Sequence, residues 1–145
     1  MAELIEPADG ETAAIAYLSA VALSDPVLAG VEVVGALSSS SPGYEPGPEA
    51  VVVRLTGLAA RSLAVDVHQI TLTAWATSRE DELRASVIFR RAAAHLLLAE
   101  RVGFLAGVPC SEVRPISGYN DPDPITGRAR YSGSFGVALR GVVVQ

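Results

Sequence analysis

One stretch of the chain runs from a strand-like pattern straight into a helix-like one, and its junction reads Thr71-Leu72-Thr73-Ala74-Trp75-Ala76-Thr77-Ser78-Arg79-Glu80. From Leu63 to Ala76, apolar residues alternate with polar or small ones, which is typical of a half-buried strand. The apolar phase slips near His68-Gln69, which predicts a bulge or a change of buried face. Helical spacing follows the junction, so this stretch predicts a helix packed on a sheet.

The helix after the junction carries two apolar stripes. We expect it to begin at Ser78, which has capping-box spacing to Asp81, and to end before Gly103. The first stripe consists of Ala85, Ile88, Phe89, Ala92, Leu96 and Ala99. The second consists of Leu83, Val87, Ala94 and Leu98 and is interrupted by Arg90. A helix that covers only its own sheet needs one stripe. We therefore assign the first stripe to a possible subunit interface; burial of the helix between two layers of one domain is the alternative.

The other elements predict the fold class. Asp9 or Thr12 can cap a first helix that runs to about Ser24, because the residue before a proline, here in Asp25-Pro26, avoids the helical region. Further strands are predicted at residues 31–37, 51–55, 112–118 and 129–144. Short links favour antiparallel pairing, so we predict an α+β fold, a mostly antiparallel sheet with helices on one face. The 145 residues are expected to form a single domain.

Three segments lie outside the predicted helices and strands. Residues 1–10 form an acidic lead-in that we expect to be flexible. Residues 38–48 contain three prolines and two glycines, which predicts a long exposed loop that becomes ordered against a neighbouring subunit. Residues 119–128 form a turn-rich tip before the last strand. The possible partner-contacting residues of the loop and the tip are Tyr44, Glu45, Asp121 and Asp123.

Composition narrows the functional class. The net charge is −5, with 11 arginines and no lysine, so strong nucleic-acid binding is not expected. Half of the residues are hydrophobic, yet the longest apolar run, residues 13–23, is too short to span a membrane, and the acidic N-terminus is unlike a signal peptide. We therefore expect the apolar surplus to lie in a large core or a subunit interface, with no membrane partner. The single cysteine, Cys110, predicts folding in a reducing cytoplasm.

Residues with catalytic or metal-binding chemistry are few. The two histidines, His68 and His95, have no zinc-like spacing to Cys110, and a structural role suits both better. Residues 121–123 resemble the start of a calcium loop but lack its further ligands. Gly133 and Gly136 lack the spacing of a nucleophile elbow and more readily mark bends or close backbone approach. The sequence therefore predicts no catalytic, cofactor-binding or metal site, and a protein that is not an enzyme.

Two segments together resemble the tail-terminator (head–tail joining) family of long-tailed bacteriophages. The junction at residues 71–80 is similar to that family's strand ending in an aromatic, followed by a small polar cap and an acidic helix start. The second segment resembles the tip and start of its last hairpin and reads Asp121-Pro122-Asp123-Pro124-Ile125-Thr126-Gly127-Arg128-Ala129-Arg130-Tyr131. The order helix, long loop, strands, long helix and final hairpin is also similar, over roughly residues 10–141.

The resemblance implies a structural role in the virion. Such proteins form a hexameric ring on the last ring of the tail tube, stop its polymerisation and meet the head-completion (neck) proteins. DNA passes through the lumen without tight binding, and no cofactor is implied. The expected location is the head–tail junction, after synthesis in the host cytoplasm. The alternatives are another subunit of the particle, such as a neck adaptor or tail-tube protein, and then a small ligand-binding or enzymatic domain.

Overall fold

The computed structural model describes residues 2–37 and 48–144. Within them, the α-helices are α1 (Gly10–Ser24) and α2 (Glu82–Val102), and a 3-10 turn spans Pro26–Leu28. The strands are β1 (Leu4–Glu6), β2 (Glu32–Val34), β3 (Ala50–Ala60), β4 (Val65–Trp75), β5 (Phe104–Leu105), β6 (Val108–Asn120), β7 (Arg130–Arg140) and β8 (Val142–Val144). Both helices pack on the main sheet, so the predicted α+β class is confirmed.

The main sheet has six strands in the order β2-β3-β4-β7-β6-β5. Its neighbours are antiparallel except for the edge pair β2–β3, which is parallel. A separate ribbon pairs β1 with β8, Leu4 lying opposite Val144. The expectation that the first ten residues are flexible is therefore wrong for Leu4–Glu6, because β8 supplies a backbone partner that the local sequence does not reveal.

Helix α1 begins and ends where the sequence predicts. Asp9 is its N-cap and accepts a hydrogen bond from the backbone N–H of Thr12 at 3.0 Å. The helix ends at Ser24, before Asp25-Pro26. Gly10 is needed in the first turn, because a Cβ there would lie 2.5 Å from Nδ1 of His68. The start of α1 therefore lies directly on the imidazole of β4.

Strand β4 runs through the middle of the sheet without a break in register. Its pairing with β7 is continuous from Val65 to Trp75, and the irregularity lies in β3, between Leu55 and Gly57. The predicted bulge at His68-Gln69 is therefore wrong. His68 is fully buried in line with the apolar residues of β4, so it interrupts the apolar phase and leaves the register intact.

Helix α2 lies unusually close to the sheet at Gly133. A Cβ at this position would lie 2.4 Å from Cζ of Phe89 and 2.5 Å from the carbonyl oxygen of Ser117. The Phe89 ring instead packs on Tyr131, with the centroids 4.8 Å apart. Close approach, one of the two predicted roles, is thus the role of Gly133 but not of Gly136, where a Cβ would make only ordinary contacts.

Asp25 joins the two helices. Its carboxylate accepts hydrogen bonds from Nε of Arg91 at 2.7 Å and from Nε2 of His95 at 2.6 Å, both on α2. These two bonds hold the pKa of Asp25 far below its usual range. The hydroxyl of Tyr17 on α1 also donates to the carbonyl of His95 at 2.7 Å. His95 therefore belongs to a structural tie between α1 and α2.

Candidate subunit interface

The first apolar stripe of α2 faces the sheet. Ile88 and Leu96 are fully buried, and the most exposed of the six residues, Phe89, is only 6% exposed. The full set is Ala85, Ile88, Phe89, Ala92, Leu96 and Ala99, and every member lies in the core of the subunit. The prediction that this stripe forms a subunit interface is therefore wrong, because the subunit's own sheet already covers it.

The second stripe of α2 faces outward. Leu83 is 76% exposed and Leu98 is 44% exposed, while Ala94 is exposed and Val87 half-buried. Val102, in the last turn, extends the stripe at 60% exposure. The exposed Arg90 lies between Val87 and Ala94 and interrupts the stripe. Exposed apolar residues along one helix face are of the kind that marks an interaction site. We call these five residues, Leu83, Val87, Ala94, Leu98 and Val102, the outer stripe.

The start of α2 sets the chemistry at one end of the outer stripe. The helix begins at Glu82, four residues later than predicted, and Asp81 is its N-cap. The Asp81 carboxylate accepts from the backbone N–H of Ser78 at 3.2 Å and from its hydroxyl at 3.1 Å. Half of the predicted capping box is thus present. Glu80 and Glu82 are both exposed, so carboxylates flank Leu83. At its other end α2 stops at Gly103, which has the left-handed conformation, φ 87°, that favours glycine.

Strand β6 lies beside the outer stripe. Strand β5 pairs only with Val108 and Pro109. Among the residues that the structure describes, no strand pairs with the outer edge of β6 from residue 111 to residue 120. Two irregularities, near Ser111 and Ile116, and the missing N–H of Pro115 blunt this edge. Glu100 of α2 covers part of it by accepting the backbone N–H of Val113 at 3.0 Å.

Shallow grooves follow the seam between α2 and β6. One is lined by Glu82, Leu83, Ser86, Asn120 and Tyr131. Another is lined by Ala94, Leu97, Leu98, Glu100, Arg101 and Val113. Both include outer-stripe residues, so the exposed apolar side chains of α2 and the blunted edge of β6 form one surface. We regard this surface as the candidate subunit interface.

The predicted loop residues differ in their surroundings. Tyr44 and Glu45 lie outside the described residues. Asp121 is half-buried; its carboxylate lies 3.1 Å from Nη2 of Arg130. Asp123 is buried and accepts the backbone N–H of Thr126 at 3.1 Å and its hydroxyl at 2.6 Å. Burial raises the pKa of Asp123, but these hydrogen bonds outweigh burial and lower it. Contact of Asp123 with a partner is therefore a wrong prediction, whereas contact of Asp121 stays a prediction.

The residues considered for catalysis are buried in the subunit. Cys110 lies in β6, and burial raises the pKa of its thiol. His68 is fully buried, and no described residue lies within hydrogen-bond distance of either ring nitrogen. Over residues 2–37 and 48–144, no three His, Cys, Asp or Glu side chains are grouped so that they could hold a metal ion. Within the same residues, no helix is long and apolar enough to cross a membrane.

Comparison with models of known protein families finds no match to this sequence, and comparison with curated protein sequences finds none either.

Proposed function

We propose that the protein is a structural subunit of a phage particle, a tail terminator that forms a ring at the head–tail junction. In this role the ring caps the tail tube, ends its polymerisation and presents a surface to the neck proteins. The observation that carries the proposal is the outer stripe of α2. A subunit that works by forming a ring needs an apolar surface that its own fold leaves uncovered.

The described contacts support an assembly role in two further ways. The six-stranded sheet and both helices form one core, so the outer stripe is fixed on a rigid element. A rigid apolar surface loses little conformational entropy on association. The grooves described along this surface are open and shallow, a shape that suits a protein neighbour better than a small molecule, which is usually enclosed.

The test is a phage in which this gene is inactivated and the protein is supplied from a plasmid. Loss of a terminator leaves tails that grow past their normal length and do not join heads. Plasmid-borne wild-type protein should restore joined particles, whereas Leu83→Asp with Leu98→Asp should not. The matched control is Leu23→Asp with Leu4→Asp, at positions 91% and 67% exposed on α1 and β1.

The alternatives give different images in the same experiment. Loss of a tail-tube subunit would leave heads without tails, and loss of a neck adaptor would leave tails of normal length that remain unjoined. Either image would contradict the terminator role while keeping a structural one. Normal particles in the absence of the protein would contradict both and favour a ligand-binding or enzymatic domain.

A further inference from the structure

The open face of the main sheet, opposite the helices, carries a buried apolar cluster at one end, formed by Ala50, Val52 and Trp75. Its central rows carry small hydroxyl side chains: Thr71 lies 2.9 Å from Thr56 and 2.9 Å from Ser134, oxygen to oxygen. Towards the β3–β4 turn the face becomes a hollow. The hollow is lined by Ala60, Arg61, Val67, Glu112, Arg114, Ile116, Gly136 and Ala138. Its floor is therefore small and apolar, and its rim is charged.

The open face is basic in an acidic protein. The strand register and ion pairs place on it the arginines Arg54, Arg61, Arg114, Arg130 and Arg140 and the carboxylates Glu32, Glu112 and Asp121. Five arginines against three carboxylates leave a surplus of two positive charges. The other described residues include six arginines against twelve carboxylates. Two copies of the open face would therefore repel each other, whereas an acidic surface would be attracted.

We propose that the outer stripe of α2 of one subunit docks in this hollow on the open sheet face of the next copy. The inference rests on the proposed ring and names its two joining surfaces. Leu83 and its neighbours meet the apolar floor, and Glu80 and Glu82 meet Arg61 and Arg114. Because the two surfaces differ, the contact is heterologous, which is the kind that closes into a ring.

The open face is long enough for the outer stripe. From Leu83 to Leu98 the stripe is about 22 Å long, at a rise of about 1.5 Å per residue. Strands β4 and β7 run along the open face for about 36 Å, at about 3.3 Å per residue, and the hollow takes up one short part of it, at Val67, Gly136 and Ala138. A Cβ on Gly136 would be in ordinary van der Waals contact with Cγ1 of Val67 at 3.4 Å and Cδ1 of Ile116 at 3.9 Å, so the glycine keeps this part of the floor low.

Disulfide trapping tests the contact directly, since the native Cys110 is buried. Leu83→Cys and Ile116→Cys variants, at positions 76% and 56% exposed, are mixed and oxidised, as purified protein and in intact particles. We expect mixed dimers to exceed either homodimer. The matched control is Leu23→Cys, 91% exposed on α1, mixed with Ile116→Cys. Homodimers of Leu83→Cys alone, or no trapping above this control, would overturn the proposal.

Charge reversal provides a second test, read by sedimentation equilibrium. Arg61→Glu with Arg114→Glu, and separately Glu80→Arg with Glu82→Arg, should each weaken association at least about tenfold, and combining the two sets should restore most of it. Glu3→Arg with Glu6→Arg makes the same charge change as Glu80→Arg with Glu82→Arg, but away from α2, and should have little effect on association. The proposal would be overturned if the combined variant associated as weakly as the two separate losses multiplied together. The proposal would also be overturned if Arg61→Glu with Arg114→Glu lost binding to duplex DNA but still associated with itself.

These outcomes separate the two proposals. A ring at the head–tail junction that is held by other surfaces would keep the proposed function and overturn this inference. If mixed disulfides form but the protein is absent from the head–tail junction, this inference stands and the proposed function is overturned.

Discussion

The two faces of the main sheet are built from alternate residues of the same strands and serve different purposes. On the covered face, Ile70, Leu72 and Val137 are fully buried under the helices. On the open face, Thr71 and Ser134 join their hydroxyls across the sheet, and arginines lie around them. The covered face holds the main core of the subunit, and we propose that the open face makes contacts with another copy. We therefore expect substitutions at neighbouring residues of one strand to differ, one affecting assembly and the next affecting the stability of the subunit.

Helix α2 repeats this division on a smaller scale. Its sheet-facing stripe is buried, whereas Leu83 and Leu98 of the outer stripe remain exposed. Substitutions on covered and open surfaces should thus separate into two classes, those that unfold the subunit and those that leave it folded but unable to assemble.

The largest expected effect is Leu72→Ala on the covered face. The side chain is fully buried in the main core, so its truncation leaves a cavity. We expect the free energy of unfolding to fall by about 3 kcal/mol, measured by urea denaturation. The control is Thr73→Ala, one residue away on the open face, with a loss below about 1 kcal/mol. Equal losses would contradict the division between the faces.

Gly133→Ala should have the next largest effect. The added methyl group would meet the Phe89 ring and the Ser117 carbonyl, and overpacking of this kind costs about 1–3 kcal/mol. Gly136→Ala is the matched control three residues along β7, where the methyl group makes ordinary contacts at 3.4 and 3.9 Å. Thermal unfolding should show a clear loss for the first variant and almost none for the second.

The sequence predicts the elements well because local patterns determine them. The Asp9 cap, the end of α1 before Pro26 and the close approach at Gly133 were all predictable from nearby residues. The pairing of β1 with β8 was not, since it joins residues about 140 positions apart. Assignment of the α2 stripes failed for a related reason. Helical spacing reveals two stripes, but only the packed sheet determines which of them is covered.

The basic open face was also beyond sequence reasoning. Arg54, Arg114 and Arg140 are far apart in the chain and form no basic run. They share a face only because β3, β4, β7 and β6 are neighbours in a particular register. The alternation of arginine, serine and glycine in β7 indicates an outward side, but not which strands lie next to it.

The free energy of unfolding should depend on pH because His68 is buried on the covered face. Burial lowers the pKa of His68, and Asp66 and Asp9 oppose this only in part. Between the folded and unfolded pKa values, His68 therefore binds a proton in the unfolded chain but not in the folded chain. Stability should be complete above about pH 6.5 and fall as the pH drops towards the folded pKa, by at most about 1.4 kcal/mol per pH unit. His68→Leu should remove this slope, and an unchanged slope would contradict the assignment.

The smallest expected effect is Thr71→Val on the open face. It removes the hydroxyl that joins Thr56 to Ser134 but keeps the shape and the β-branched side chain. Because these groups can bond to water instead, we expect a loss below about 1 kcal/mol in urea denaturation. A loss as large as that of Leu72→Ala would mean that the open face also stabilises the subunit.

Electron microscopy of intact particles, at a resolution that traces side chains, tests the central claim most directly. The account predicts density for this chain as a single ring between tail tube and neck, with the outer stripe of each α2 against a neighbouring subunit. Density repeated along the tail, or no density for this chain in the particle, would contradict it.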